Sequence, residues 1–210
     1  MSDNQAAPLE GEGQIATTTL DNGTAVILRP VSLDDSDRIT DGFERCSAGT
    51  RYFRFMSGGY RLTEERLAEL TEANQRDHVV WLAIDAGKPS TPVMGLARFV
   101  RLADVPDQAE VAFIVADEYQ GQGVGGLLFD ALRVAAGVNG VSTFLAEVLG
   151  ENTPMITLLV HRGAKAKARD RYSLTLELAI EDVEVRRLVP LVEGALQAMA
   201  EAAAEQATSN

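Results

Sequence analysis

The chain has one cysteine, Cys46, so no disulfide can form within it and a metal site built on several thiolates is excluded. Histidine is almost as scarce. His78 and His161 stand too far apart in sequence to suggest a ligand pair, and no metal is predicted. No apolar run approaches the roughly 20 residues that span a bilayer. The opening MSDNQAAPLEGEG lacks the basic start and apolar stretch of a secretory signal, so no membrane partner and a cytoplasmic location are expected. Positive charge is in short supply as well: 19 Lys and Arg stand against 31 Asp and Glu, a net charge of −12. Nucleic-acid backbones are held by dense cationic patches, and no nucleic-acid partner is expected.

What remains is an ordinary globular composition. The 210 residues are 46% hydrophobic and 24% charged, enough for one core and too few for two comfortable domains. Residues 1–16 show no periodicity and are read as a flexible segment, 17–180 as the folded domain, and 181–210 as a helical tail. In that tail Leu188, Val192, Leu196 and Met199 keep helical spacing behind Pro190. The tail could cover the core or meet a second subunit, so oligomeric state stays open.

Asp21-Asn22-Gly23 between two β-prone runs predicts a hairpin, because both Asn and Gly tolerate positive φ. Ser32 with Asp35 predicts a helix over about 33–46, and Thr63 with Glu64 and Glu65 one to about Ala73. Three strand patterns follow: HVVWLAIDA, PVMGLARFVRL and QAEVAFIVA. A helix over 121–138 and a buried strand over 142–148 come next, so strands 109–115 and 142–148 should be parallel. A helix from Asn152 to His161 and the strand RYSLTLELAI end the domain. The expected class is α+β, a mixed and mostly antiparallel sheet with flanking helices.

Gln120-Gly121-Gln122-Gly123-Val124-Gly125-Gly126 joins an apolar strand to an amphipathic helix. A helix start presents unpaired N–H groups and a partial positive charge, which suits a phosphate. Glycines there remove the Cβ atoms that would hold phosphate oxygens away from the backbone. Gly121, Gly123 and Gly126 also satisfy the dinucleotide pattern G-x-G-x-x-G, with Glu147 near the place of a ribose-binding acid. In that fold the strand runs almost directly into the first glycine, whereas Ala116 to Gln120 intervene here. A Walker loop is excluded because no Gly-Lys-Ser/Thr follows.

Gln120-x-x-Gly123-x-Gly125 after a strand resembles the acetyl-CoA signature of the GNAT acetyltransferases, and Asn152 to Gly163 resembles their next helix. The resemblance covers roughly residues 25–180. It implies acetyl-CoA as co-substrate and a sheet that splays between strands 109–115 and 142–148. The pantetheine arm would pair with backbone at Ile114 and Val115, the Gln120–Gly126 turn would bind the diphosphate, and Asn152 would line the same gap.

An ammonium acceptor of pKa near 10.4 needs a proton acceptor near neutrality. Glu110 is the candidate base, being the one charge in a run otherwise fit for burial, where partial desolvation would raise its pKa. Bacterial protein lysine acetyltransferases, the members most resembled, carry a glutamate in this strand, and Ala109 to Ala112 align with it. Some of them have a fused cyclic-nucleotide domain. The present chain leaves no room for one, so cyclic-nucleotide control is not expected. The tyrosine that many members place seven residues after the asparagine is Leu159 here. Tyr119 and Tyr172 are possible replacements, each read first as structural. Arg51 to Arg54 could help shape an acceptor pocket or equally well form a packed amphipathic strand, and Lys165, Lys167, Arg169 and Arg171 form the one basic cluster, read first as a solvated surface run and otherwise as an attractor for the donor's 3′-phosphate. The expected acceptor is an amine, by resemblance a protein lysine. A small-molecule amine, or CoA binding without turnover, stays open.

Overall fold

The computed structural model describes residues 16–88, 90–180 and 188–208. The expected flexible segment lies outside them except for Ala16, and so do residues 181–187 of the tail. The first hairpin pairs β1 (Ala16–Thr19) with β2 (Ala25–Pro30). Its turn departs from the two-residue form: only Gly23 has positive φ, +88°, and the Leu20 amide donates to the Thr24 carbonyl. Asn22 works through its side chain instead, accepting from the Thr24 amide and donating to Gln122 Oε1 at 2.9 Å.

The helix expected over 33–46 is a 3-10 turn, Leu33–Asp35, followed by α1 (Ser36–Glu44). Next comes α2 (Ala48–Phe55), where the sequence suggested a strand. Ser47 caps it by accepting from the Thr50 amide, and its positive-φ terminus at Met56 ends it. α3 (Glu64–Thr71) is capped by Thr63 as its acids foretold.

β3 (His78–Asp85), β4 (Val93–Leu102) and β5 (Val105–Val115) form the meander. β3 is apolar almost throughout because both its faces are covered. Trp81 and Ala83 join the main core, while Val80, Leu82 and Ile84 pack on the other side with Ile39 of α1. α4 (Val124–Val138) fills the first face with Leu128, Phe129, Leu132 and Ala135. β6 (Thr143–Leu149), α5 (Thr153–His161), β7 (Lys165–Arg169) and β8 (Ser173–Ala179) follow. The sheet order is β1-β2-β3-β4-β5-β6-β8-β7, antiparallel except for the parallel pair β5–β6. The basic cluster thus falls mostly on β7, an exposed edge strand, where cations discourage further strand addition. α6 (Val189–Thr208) lays Val192 and Ala195 against the core, and it packs on α4 and the first two strands.

A buried ion pair fixes the turn from β2 into the helices. Arg29 Nη1 and Nη2 donate to the two carboxylate oxygens of Asp35, each at 2.7 Å, and the Ser32 amide donates to Asp35 Oδ2 at 2.8 Å. Burial pushes the Asp35 carboxyl up, but Arg29 and Ser32 together outweigh it and hold the group below its ordinary value. A carboxyl depressed in the folded state contributes stability above its unfolded pKa and loses it as pH falls through the folded value. Asp35→Asn should therefore lower stability by about 3–5 kcal/mol at neutral pH, since it strips a buried guanidinium of its carboxylate. Urea unfolding should show the gap between wild type and variant closing below about pH 4.

Candidate active site

The parallel pair is short. Gln108, Ala109 and Glu110 pair with Thr143, Phe144 and Leu145, and there the pairing ends, although β5 runs on to Val115 and β6 to Leu149. The wedge between them is a groove of about 720 Å3, bordered by β5 from Glu110 to Val115 and by Ala146 to Val148 of β6. That size suits a small-molecule or cofactor site. The Ala116 amide donates to the Met94 carbonyl, which sets the alternation of the β4–β5 ladder. Even-numbered residues of β5 bond to β4; the Val111 N–H is taken by the last parallel pair, and the Val111 C=O with the N–H and C=O groups of Phe113 and Val115 faces the wedge. The expected pairing at Ile114 is corrected accordingly: its backbone belongs to the ladder with Leu96, and it lines the groove with its side chain. Val115 turns its backbone groups toward the wedge, and its carbonyl already accepts from Gln120 Nε2 at 3.0 Å.

At the wide end of the wedge stands the glycine turn. Gly123 is the N-cap of α4 and supplies no capping side chain. The first helical bond runs from the Leu127 amide to the Gly123 carbonyl, so the amides of residues 124–126 are the orphan donors of the helix start. Gly121 and Gly123 hold φ of +71° and +91°, values that a Cβ disfavours. A Cβ on Gly126 would instead run into the Arg162 guanidinium, which pairs with Asp130 at 3.2 Å. Gln120, Gly121, Gly123, Gly125 and Gly126 border the groove. The side chains of Gln122 and Val124 do not: Gln122 bonds the Glu118 carbonyl and Asn22, and Val124 is buried in the core. Only backbone N–H groups at these two positions could reach a ligand.

Glu110 borders the groove where the strands part, and it is exposed. The desolvation expected from its apolar neighbours does not occur, because Val111 and Phe113 turn inward while Glu110 shares the opposite face with Ala112 and Ile114. Asn152 borders the groove as N-cap of α5, its Oδ1 accepting from the Met155 amide at 3.3 Å. Leu159 is packed in the core and offers no proton. Of the two tyrosines, Tyr172 is exposed, and the Tyr119 hydroxyl bonds Lys88 Nζ at 2.7 Å and Asp85 Oδ2 at 3.0 Å. Burial holds the Tyr119 phenol above its ordinary value, with Lys88 opposing and Asp85 reinforcing. Cys46 is a buried thiol pushed up to about 11, first by burial and then by Asp117.

The sequence singled out Arg51 to Arg54 but missed that this segment is a helix beside the groove. Thr50, Phe53, Arg54 and Met56 of the α2 region cover it, and Gln120 Nε2 ties the glycine turn to Thr50 Oγ1 at 3.0 Å. The Ser47 cap was the available signal for this helix.

A family model described as an acetyltransferase (GNAT) domain matches residues 25–165. The chain is 37% identical to Acetyltransferase Pat of Mycolicibacterium smegmatis over 157 residues, which are 75% of this chain and 46% of that protein. Among solved structures, the GNAT domain of S. lividans PAT superposes with a TM-score of 0.72 at 29% identity, covering 79% of this chain and 97% of that domain. A cAMP-binding acyltransferase from Mycobacterium smegmatis superposes with a TM-score of 0.64 at 29% identity, covering 87% of this chain and 54% of that one. The chain spans about half the length of these mycobacterial relatives.

Gly123 and Gly125 separate conformational need from proximity to the groove. Gly123→Ala should cost about 1–2 kcal/mol of stability, the penalty of a Cβ in left-handed backbone. At Gly125 a Cβ would meet only Leu158 and Val115 at ordinary contact distances, 3.7 and 3.9 Å. Gly125→Ala should leave stability unchanged or raise it by up to about 1 kcal/mol, through helix propensity. Urea midpoints of the two variants provide the check.

Proposed function

The chain belongs to the GNAT acetyltransferase family, and from that premise we propose that it moves an acetyl group from acetyl-CoA to the side-chain amine of a protein lysine, with Glu110 as general base. The wedge between β5 and β6 carries this reading: bare helix amides at one end, unpaired strand amides along one wall, and an exposed carboxylate at the apex. Acetyl-CoA would bring an activated thioester and a diphosphate. Residues 123–126 would hold the diphosphate through backbone N–H groups, aided by the positive end of α4. Val111 would offer its C=O, and Phe113 and Val115 their N–H and C=O groups, to the amides of the pantetheine arm, much as an added strand would be held.

Glu110 takes one proton from the acceptor ammonium or from a water beside it, leaving a nitrogen lone pair to attack the thioester carbonyl. The new C–N bond forms as the C–S bond breaks, the sulfur leaves with the bonding pair, and the nitrogen gives up its second proton to water, which returns one to the thiolate. Direct transfer in a ternary complex suits the site, since the one cysteine is buried and its thiol is held protonated. With Leu159 in the core, no side chain stands ready there to protonate the thiolate, so water serves. A thiol ordinarily titrates near 8.5, and its anion leaves readily. The protein-lysine acceptor rests on the relative named Pat and on the bacterial protein lysine acetyltransferases that the Glu110 strand resembles.

Glu110→Gln should cut kcat for a lysine peptide by roughly 10²–10⁴-fold while leaving acetyl-CoA affinity intact, measured by free-thiol release and calorimetry. Turnover equal to wild type across pH would remove Glu110 from the mechanism. Gly125→Ala, which the fold accommodates, should weaken acetyl-CoA binding about tenfold by crowding one charge-assisted hydrogen bond. Unchanged affinity would place the diphosphate elsewhere.

A further inference from the structure

A second cavity of about 230 Å3 lies on the helix-covered face of β4 and β5, beneath α1 and α3. Arg54, Phe55 and Ile114 border both it and the acetyl-CoA groove, so the two spaces share a wall. Its lining is apolar at Ile39, Leu70 and Leu96 and cationic at Arg54, Arg66 and Arg98, with Glu69 as its one carboxylate. None of the three arginines forms an ion pair among the described residues, in a chain whose acids outnumber its bases 31 to 19.

Two of the guanidinium groups, those of Arg54 and Arg66, lie over aromatic rings. Phe55 and Tyr60 stack with centroids 3.4 Å apart and planes 5° from parallel. Arg54 lies over Phe55 at 4.8 Å and Arg66 over Tyr60 at 4.4 Å. Arg54 Nε is shielded from solvent and has no hydrogen-bond partner. Burial, and after it the charge of Arg98, brings Arg54 down to about 10 against the opposing influence of Tyr60 and Glu110, still protonated at neutral pH. Arg98 also helps, after burial, to hold His78 below its ordinary value. Shielded cations without a counter-ion are costly, and buried ones are ordinarily paired. Arg66 is exposed, and of the lining residues only Glu69 stands as a carboxylate against Arg54 and Arg98, so the chamber has cationic donors in excess.

The register places that excess beside the proposed base. Arg98 pairs with Ala112 and Val100 with Glu110, so Arg98 and Glu110 are diagonal neighbours on one sheet face. At about 230 Å3 the chamber falls below the roughly 300–1,000 Å3 of sites that enclose a whole small molecule, and it suits a single side chain. The geometry points to an acceptor subsite in which Arg54 and Arg98 hold a carboxylate borne by the acceptor, an Asp or Glu close to the target lysine. This inference rests on the reading of a protein lysine as acceptor.

The test uses lysine peptides that differ at one position, Glu against Gln, walked through the places flanking the lysine. Thiol release gives kcat and KM, and calorimetry of the same peptides with the lysine already acetylated gives affinity without turnover. At one flanking position Glu should bind about tenfold tighter than Gln and lower KM with little change in kcat, as expected for one charge-assisted contact. Arg98→Gln should abolish that difference while still turning over the Gln peptide, and Arg98→Lys should restore part of it. Equal affinity for Glu and Gln peptides at every position in the wild-type protein overturns the inference without any variant. A preference that survives Arg98→Gln overturns it too. Absence of thiol release with every peptide would sink the lysine acceptor, while a Glu preference in calorimetry would leave the carboxylate subsite standing.

Discussion

Three residue pairs join β5 to β6, and the chemistry depends on the pairing ending there. Two strands that part company leave polar backbone groups that must find other partners, because a shielded amide without one costs about as much as a lost hydrogen bond. The protein satisfies some of them itself, as where Gln120 covers the Val115 carbonyl. It leaves others facing the wedge at Val111 and Phe113. The divergence is stable because each strand is fully laddered on its other side, β5 to β4 and β6 to β8.

The same constraint explains how the glycine turn is held. A helix start without a capping side chain needs outside support if it is to remain open. Here the hairpin supplies it through Asn22 and Gln122, and α2 supplies it through Thr50 and Gln120. The two side chains of the turn therefore brace from opposite sides and leave the backbone donors clear. Arg162, set against Gly126 and anchored on Asp130, fills the space behind the helix start.

Much of this was legible in the sequence because local patterns and the final packing agree. The strand runs, the α4 face and the Thr63 cap each point one way. The parallel pair followed from strand, helix and strand in succession. The misreadings have a common cause, which is that tertiary contacts outweighed local signals. α2 carries aromatic and arginine residues that suit a strand equally well, and only packing against α1 and the groove decides between them. Lys165 to Arg169 looked like a solvated surface run because an edge strand with every residue exposed has no alternation to detect. Within the site the wedge was foreseen, but the ladder phase was not, since a one-residue shift exchanges the backbone groups of Ile114 for those of Val115. Glu110 likewise kept its place while its environment differed: composition sees the apolar neighbours but not that they face the other way.

Charge gives the last step. In a chain this acidic, long-range attraction favours cationic partners, which is the right sign for a lysine-bearing surface. The groove sets the α4 amides at one end against the carboxylates of Glu110 and Glu147, whereas the smaller cavity beside it sets three arginines against Glu69. On the proposed lysine reading, an ammonium would move from a surface that attracts it to a site flanked by the arginines of the smaller cavity, which disfavour its charge. On that reading both effects would help, since the first concentrates the acceptor and the second eases loss of the proton that blocks attack. Glu110, the proposed base, borders the groove and is exposed, so a proton it accepted would have a path on to water.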